Sequence, residues 1–310
     1  MRLPSAPAWA LLAGAALWGV VWWPYRLLAR AGIDGMWATL GTYGIALVAG
    51  SVVFHRHFPR RIGGYALLMG AAIGWSNLAY VLAVLQGEVM RVLLLFYLAP
   101  LWTVPMAHVL LHERLDRRGF MVMALAFAGA MTMLWHPALG FPWPASRAEW
   151  LGLAAGFLFA LGNVLVRKLQ AMTDGEKSIV IWAGVTFAAL VHLAQSPASF
   201  AQVRPALASE WPIVLGVGLA LVAMSYSLQY GLSRLPANRA IVILLSELVI
   251  AAIAAWFLAG ESLRLQDWIG GALIVGASLL SGYSTPAETN PGRSWERASS
   301  RACDAPRPPS

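Results

Sequence analysis

Long, evenly spaced stretches of this 310-residue chain contain no Asp, Glu, Lys or Arg, and that exclusion constrains its fold more than any other feature. Charge-free runs cover 3–25, 35–54, 62–87, 92–112, 119–146, 150–166, 178–203, 211–233 and 268–287. A further run, 240–260, is broken only by Glu247. A helix needs roughly 20 apolar residues to cross a bilayer. Ten such runs predict ten transmembrane helices in an all-α integral membrane protein. Charged residues make up 12% of the chain, against about 25% in ordinary soluble domains.

The runs repeat. At a separation of 148 residues Gly70 falls on Gly218, Arg91 on Arg239, Glu113 on Glu261, Leu115 on Leu263, Ala124 on Ala272 and Leu125 on Leu273. At 141 residues Trp9 falls on Trp150, Leu12 on Leu153, Leu17 on Leu158 and Arg26 on Arg167. The chain is therefore expected to hold two copies of one five-helix unit, 1–146 and 147–284, followed by a disordered tail over 285–310 rich in Pro, Ser and Arg. Five is odd, so the second copy lies upside down relative to the first. Two inverted repeats give two pseudo-equivalent arrangements, one open to each side of the membrane, with substrate held near the midplane between the halves.

The net charge is +8. In a soluble protein such a charge would suggest nucleic acid, but here the basic residues sit in the short gaps between runs, where they act as topology signals, and no nucleic-acid partner is expected. With the N-terminus inside, sixteen of the 22 Lys and Arg face the cytoplasm and six the outside. That bias predicts a multi-pass protein of the cell (inner) membrane with both termini cytoplasmic. The one cysteine, Cys303, lies in the tail, so no disulfide framework is expected. HExxH, GxSxG and Walker A patterns are absent, which argues against an enzyme or a nucleotide-driven pump. His108 and His112 are four apart but lack an evident third ligand, and His192 stands alone on an apolar run. No metal site and no cofactor are expected.

Polar and aromatic groups within the runs mark where a substrate could sit. In the first span Trp18 and Trp22 share a helix face. In the third Asn77 and Tyr80 are three apart, and in the eighth Ser225 takes the place of Asn77 at the 148-residue separation and shares a face with Gln229. Asn163 in the sixth span occupies the place of Trp22. Pro100 stands in the middle of the fourth span, just after Tyr97, with Pro105 below it. A mid-span proline frees a carbonyl that must be met by protein or face a cavity. Ser246 and Glu247 stand in the ninth.

The segment from Pro100 to Glu113, together with Ser246, Glu247 and the stretch GESLRLQDWIGGALIVG from Gly260 to Gly276, resembles the EamA family of the drug/metabolite transporter superfamily. The likeness covers nearly all of 8–284. In both halves the family pattern has a proline thirteen residues before a glutamate at a helix end. Pro100 and Glu113 fit, whereas the second half carries Leu248 in place of the proline. The resemblance implies a ten-helix exporter or metabolite permease driven by ions or by the substrate gradient.

The function expected is secondary transport of a small metabolite, such as an amino acid or related compound, by alternating access. The candidate lining is Trp18, Trp22, Asn77, Tyr80, Tyr97, Asn163, Ser225, Gln229, Ser246 and Glu247. The expected partners are the small-molecule substrate and the bilayer; a homodimer is compatible but not required. Flipping of a lipid-linked substrate is the alternative, and retention of a labelled lipid through purification separates the two. Glu247 is also the proton-coupling candidate, because a charge at mid-bilayer must be paired, hydrated or protonated, and no Lys or Arg lies at its depth on another span.

Overall fold

The computed structural model describes residues 5–57, 59, 62–87, 89–113, 115–135, 143–195, 200–260 and 263–282. Glu261 and the tail expected over 285–310 lie outside them. Twelve helices fill the described residues: α1 (Ala6–Arg30), α2 (Gly35–Val53), α3 (Gly64–Gln86), α4 (Val89–Phe96), α5 (Ala99–Leu111), α6 (Arg117–Leu134), α7 (Arg147–Lys168), α8 (Asp174–Gln195), α9 (Phe200–Arg234), α10 (Ala237–Leu244), α11 (Ser246–Ala259) and α12 (Leu265–Gly282).

The polar residues between the runs start the helices. Asp34 accepts from the amides of Met36 and Trp37 at 2.8 and 3.0 Å, Asp116 from Gly119 at 2.7 Å and Ser146 from Glu149 at 3.2 Å. Thr173 and Glu176 form a reciprocal capping box at the start of α8. Each meets amides that a helix end leaves without an internal partner.

Among the described residues nine segments are long and apolar enough to cross a membrane, two of them joining α4 to α5 and α10 to α11, and a shorter apolar helix over Leu265–Leu280 makes the tenth. Charge spacing misplaces one boundary. The run 178–203 holds both the end of α8 and the start of α9, because the residues between them carry no charge and leave no mark in a charge count. At 35 residues α9 is about 52 Å long by its rise, well beyond the roughly 30 Å hydrocarbon core.

The fourth span breaks at Tyr97 and Leu98. Pro100 has no amide for the Phe96 carbonyl, and Leu98 N reaches only to Leu95 O, at 3.3 Å. Gly156 of α7 lies directly against that carbonyl, where any Cβ would collide with it, so backbone covers the freed oxygen. The ninth span breaks at Leu245, the position that the 148-residue separation pairs with Tyr97. No proline causes this break. Ser246 Oγ instead donates to the Ile243 carbonyl at 2.6 Å, and Ser278 of α12 donates to the Val242 carbonyl at 3.2 Å, the oxygen that Ser246 N would take in an unbroken helix. The departure from proline at Leu248 thus leaves the break in place and changes its cause.

The packing obeys the exchange of one half for the other. α3 lies against α7 and α8, and its counterpart α9 lies against α1 and α2. α7 packs on α4 and α5, and α1 on α10 and α11. α2 against α8 and α6 against α12 are pairs of counterparts, the latter closing where Gly129 and Gly270 set backbone on backbone. The fold is two inverted five-helix repeats, as the sequence predicts.

Candidate functional site

Glu247 lies in the first turn of α11, two residues past the break. No described residue pairs with its carboxylate, which stays partly open although protein surrounds it. It acts electrostatically on the hydroxyls of Tyr80 on α3 and Tyr97 at the other break. Tyr80 packs on Phe96 at 5.1 Å between ring centroids. Phe96 in turn meets Tyr97 and Phe159 of α7, both at 5.4 Å. The two broken spans and α3 therefore bring one acid and two phenols together beside a cluster of aromatic rings. Such a site can hold an ammonium group by charge and by the ring faces, or pass a proton through the carboxyl.

Among the described residues several buried polar atoms have no hydrogen-bond partner: Trp18 Nε1 on α1, Asn77 Oδ1 on α3, Trp102 Nε1 on α5, Asn163 Nδ2 on α7, Gln229 Oε1 on α9 and Asn238 Oδ1 on α10. They come from spans one, three, four, six, eight and nine. Trp37 and Thr39 on α2 and Thr186 on α8 share this condition. A buried polar atom left unpaired costs about 1–3 kcal/mol, so these side chains are suited to water or a polar ligand.

Other expected residues have their polar groups engaged in packing. Ser225 Oγ accepts from the Trp182 indole at 2.9 Å, tying α9 to α8, and Ser246 bends the ninth span. Trp22 lies against Trp23 at 5.6 Å, with the Arg26 guanidinium 5.9 Å from its ring. Sequence reasoning missed Trp102 and Asn238. Trp102 sits in an apolar stretch near the first break and Asn238 beside Arg239 at the start of α10, and only the partnerless state of their buried atoms marks them.

At one end of the bundle polar contacts tie the two halves together. Glu113, just past α5, accepts from Arg167 Nε at 3.2 Å and from the Ala237 amide at 2.9 Å, so a first-half carboxylate caps α10 of the second half. Arg167 also donates to the Ser233 carbonyl at 2.7 Å, and Lys168 to the Leu110 carbonyl at 2.8 Å. Beneath them Ala107, Val164 and Ala237 form a small buried cluster backed by Met106, Leu110 and Leu111. α5 packs on α10 here, whereas the exchange-related pair, α11 and α4, does not pack to that extent.

The model of the EamA-like transporter family matches this sequence twice, over residues 6–135 and 146–283. A curated relative from Archaeoglobus fulgidus, described as an uncharacterized transporter, is 26% identical over 204 residues, which is 66% of this chain and 70% of the relative. A crystallised protein superposes with a TM-score of 0.72 over 90% of this chain and 98% of its own, at 17% identity, a likeness of fold alone.

Proposed function

The chain belongs to the EamA-like transporter family, and from that premise we propose that this multi-pass membrane transporter exports small amphipathic metabolites that carry an amine, such as amino acids or related compounds, by alternating access. In this reading the repeats comprise 1–146 and 147–284, both termini face the cytoplasm of a cell whose inner membrane holds the protein, and the Glu113 end is the cytoplasmic gate. The substrate rests between the two breaks, its amine beside Glu247, its apolar part on Tyr80, Phe96 and Tyr97, and its polar atoms toward Asn77, Trp18 and Asn163. Gln229, Trp22, Ser225 and Ser246 support the lining. Glu247 exchanges its proton for the substrate cation, so that carrying one charge excludes the other.

The observation that supports this reading is the placement of Glu247, an acid without a partner where two interrupted helices meet, beside a pair of phenols from the opposite half. Intramembrane acids are costly and are kept chiefly for function. Helix interruptions at mid-membrane mark binding sites in inverted-repeat transporters.

Glu247→Gln keeps the shape of the side chain but cannot ionise. The expected result is a folded protein whose transport is abolished or no longer varies with pH, measured on the substrate that an untargeted comparison of external metabolites identifies. Unchanged transport with an unchanged pH profile would refute the role of Glu247.

A further inference from the structure

A second polar site lies at the Glu113 end, away from Glu247. A cleft of about 470 Å³ opens between the end of α2, the start of α8 and the last turns of α9. Phe54 and Tyr226 stack against each other at 5.3 Å on one part of its wall. Lys177, Arg234, Ser233, Thr173 and Asp174 provide the polar part. The volume falls within the roughly 300–1,000 Å³ range of small-ligand sites.

The charges in this cleft do not pair off. Arg234 Nη1 holds Asp174 Oδ2 at 2.7 Å. Arg167, nearby, is paired with Glu113. The Glu176 carboxylate turns back to the amide and hydroxyl of Thr173. Among the described residues Lys177 has one hydrogen-bond partner, the neutral Ser233 hydroxyl at 2.7 Å, and the residue is 1% exposed. Asp174 and Glu176 attract this ammonium through space while Arg234 and Arg167 repel it, and neither carboxylate hydrogen-bonds to it, so its burial stays costly. The cost falls if an anion enters the cleft and accepts from Lys177 and from the free edge of Arg234. The residues that the 141- and 148-residue separations set opposite Lys177, Asp174 and Arg234 are Met36, Ile33 and Gln86, so the exchange-related cleft of about 370 Å³ at the ends of α3 and α8, which carries Arg147 and His192, has no buried lysine in the place of Lys177.

We propose that this cleft binds a phosphate-bearing anion, the headgroup of an anionic phospholipid, with the phosphate on Lys177 and Arg234 and the glycerol and upper chain against Phe54 and Tyr226. Tyr226 is eight residues before Arg234 on α9, which places the aromatic pair about 12 Å deeper along that helix than the guanidinium. A lipid headgroup and its first methylenes have this order of polar and apolar parts, and basic pockets between helices on the cytoplasmic side suit anionic headgroups. The inference rests on the proposed orientation, with the Glu113 end cytoplasmic, and is independent of what the chain transports.

The test uses the purified full-length protein in detergent with three probes: phosphatidylglycerol, phosphatidylcholine and inorganic phosphate. Native mass spectrometry of the wild type is expected to retain phosphatidylglycerol in preference to phosphatidylcholine. Lys177→Gln should weaken phosphatidylglycerol binding about tenfold, while Lys177→Arg retains it. If phosphate alone binds and shows the same dependence on Lys177, the anion site stands and its source is the aqueous phase, which overturns the lipid assignment. Equal retention of the two lipids by the wild type together with no phosphate binding overturns the proposal, even if neither Lys177 variant folds. Undiminished phosphatidylglycerol binding by a folded Lys177→Gln protein also overturns it.

Discussion

The two ends of this bundle are built from matching helices, yet they are packed differently. At the Glu113 end α10 touches α5, α6 and α7, and every residue of the helix except Arg239 is buried. At the opposite end its counterpart α4 makes no comparable set of contacts with α11, α12 or α1, and Leu93 and Phe96 remain partly exposed. A pseudo-twofold that held everywhere would give both ends the same contacts. Among the described residues the α10 contacts break it at the Glu113 end, where Glu113, Arg167 and Lys168 tie the halves, and the Arg91–Glu149 pair ties them at the other. In the proposed alternating-access reading, two inverted copies adopt either of two arrangements of nearly equal packing, and a few polar contacts of modest strength are sufficient to select one.

The largest way to break this asymmetry is Glu113→Ala. It uncaps α10 and leaves Arg167 without its carboxylate. Both side chains are partly exposed, so the loss is put at about 2 kcal/mol, below that of a fully buried pair. A lower melting temperature is expected, together with faster thiol labelling of a cysteine at Ala107 in a Cys303→Ser background. Labelling that stays as slow as in the unaltered latch would show that apolar packing alone holds the end closed.

Ser246→Ala sharpens the comparison between the two breaks. Without the hydroxyl bond to Ile243 the ninth span has less reason to bend, whereas the fourth keeps Pro100. A stability change of about 1 kcal/mol is expected, with transport reduced because Glu247 shifts by part of a turn. The contrast is with Pro100→Ala, which restores an amide for the Phe96 carbonyl. If Ser246→Ala transports as well as the unaltered protein, the second break does not depend on its serine.

The smallest effect concerns the ends of α5 and α11. Both stop on a left-handed residue, Gly260 at φ 69° in the second half and His112 at φ 56° in the first. Glycine takes that conformation freely, while histidine is strained in it. His112→Gly should stabilise the protein by up to about 1 kcal/mol in a thermal melt. A destabilised variant would mean that the imidazole makes a contact of greater value than the strain.

The sequence made the ten spans legible because a bilayer punishes charge, and their inverted pairing because two registers recur over long distances. It also marked Glu247 and both tyrosines, since polar groups in an apolar run stand out. The break in the ninth span was hidden by the family pattern. Leu248 lacks the proline signal, and the hydroxyl of Ser246 bends a helix only through a hydrogen bond that a sequence does not record. Trp102, Asn238 and the uncompensated Lys177 were equally silent, for whether a polar group is satisfied depends on its neighbours in space. Hydropathy and repetition are local or periodic properties, and they determined the membrane fold and its symmetry. How the halves are tied at the Glu113 end, and which buried charge lacks an ion-pair contact among the described residues, follow from contacts between residues distant in sequence, such as Glu113 with Ala237, 124 positions apart, and those only the packed structure decides.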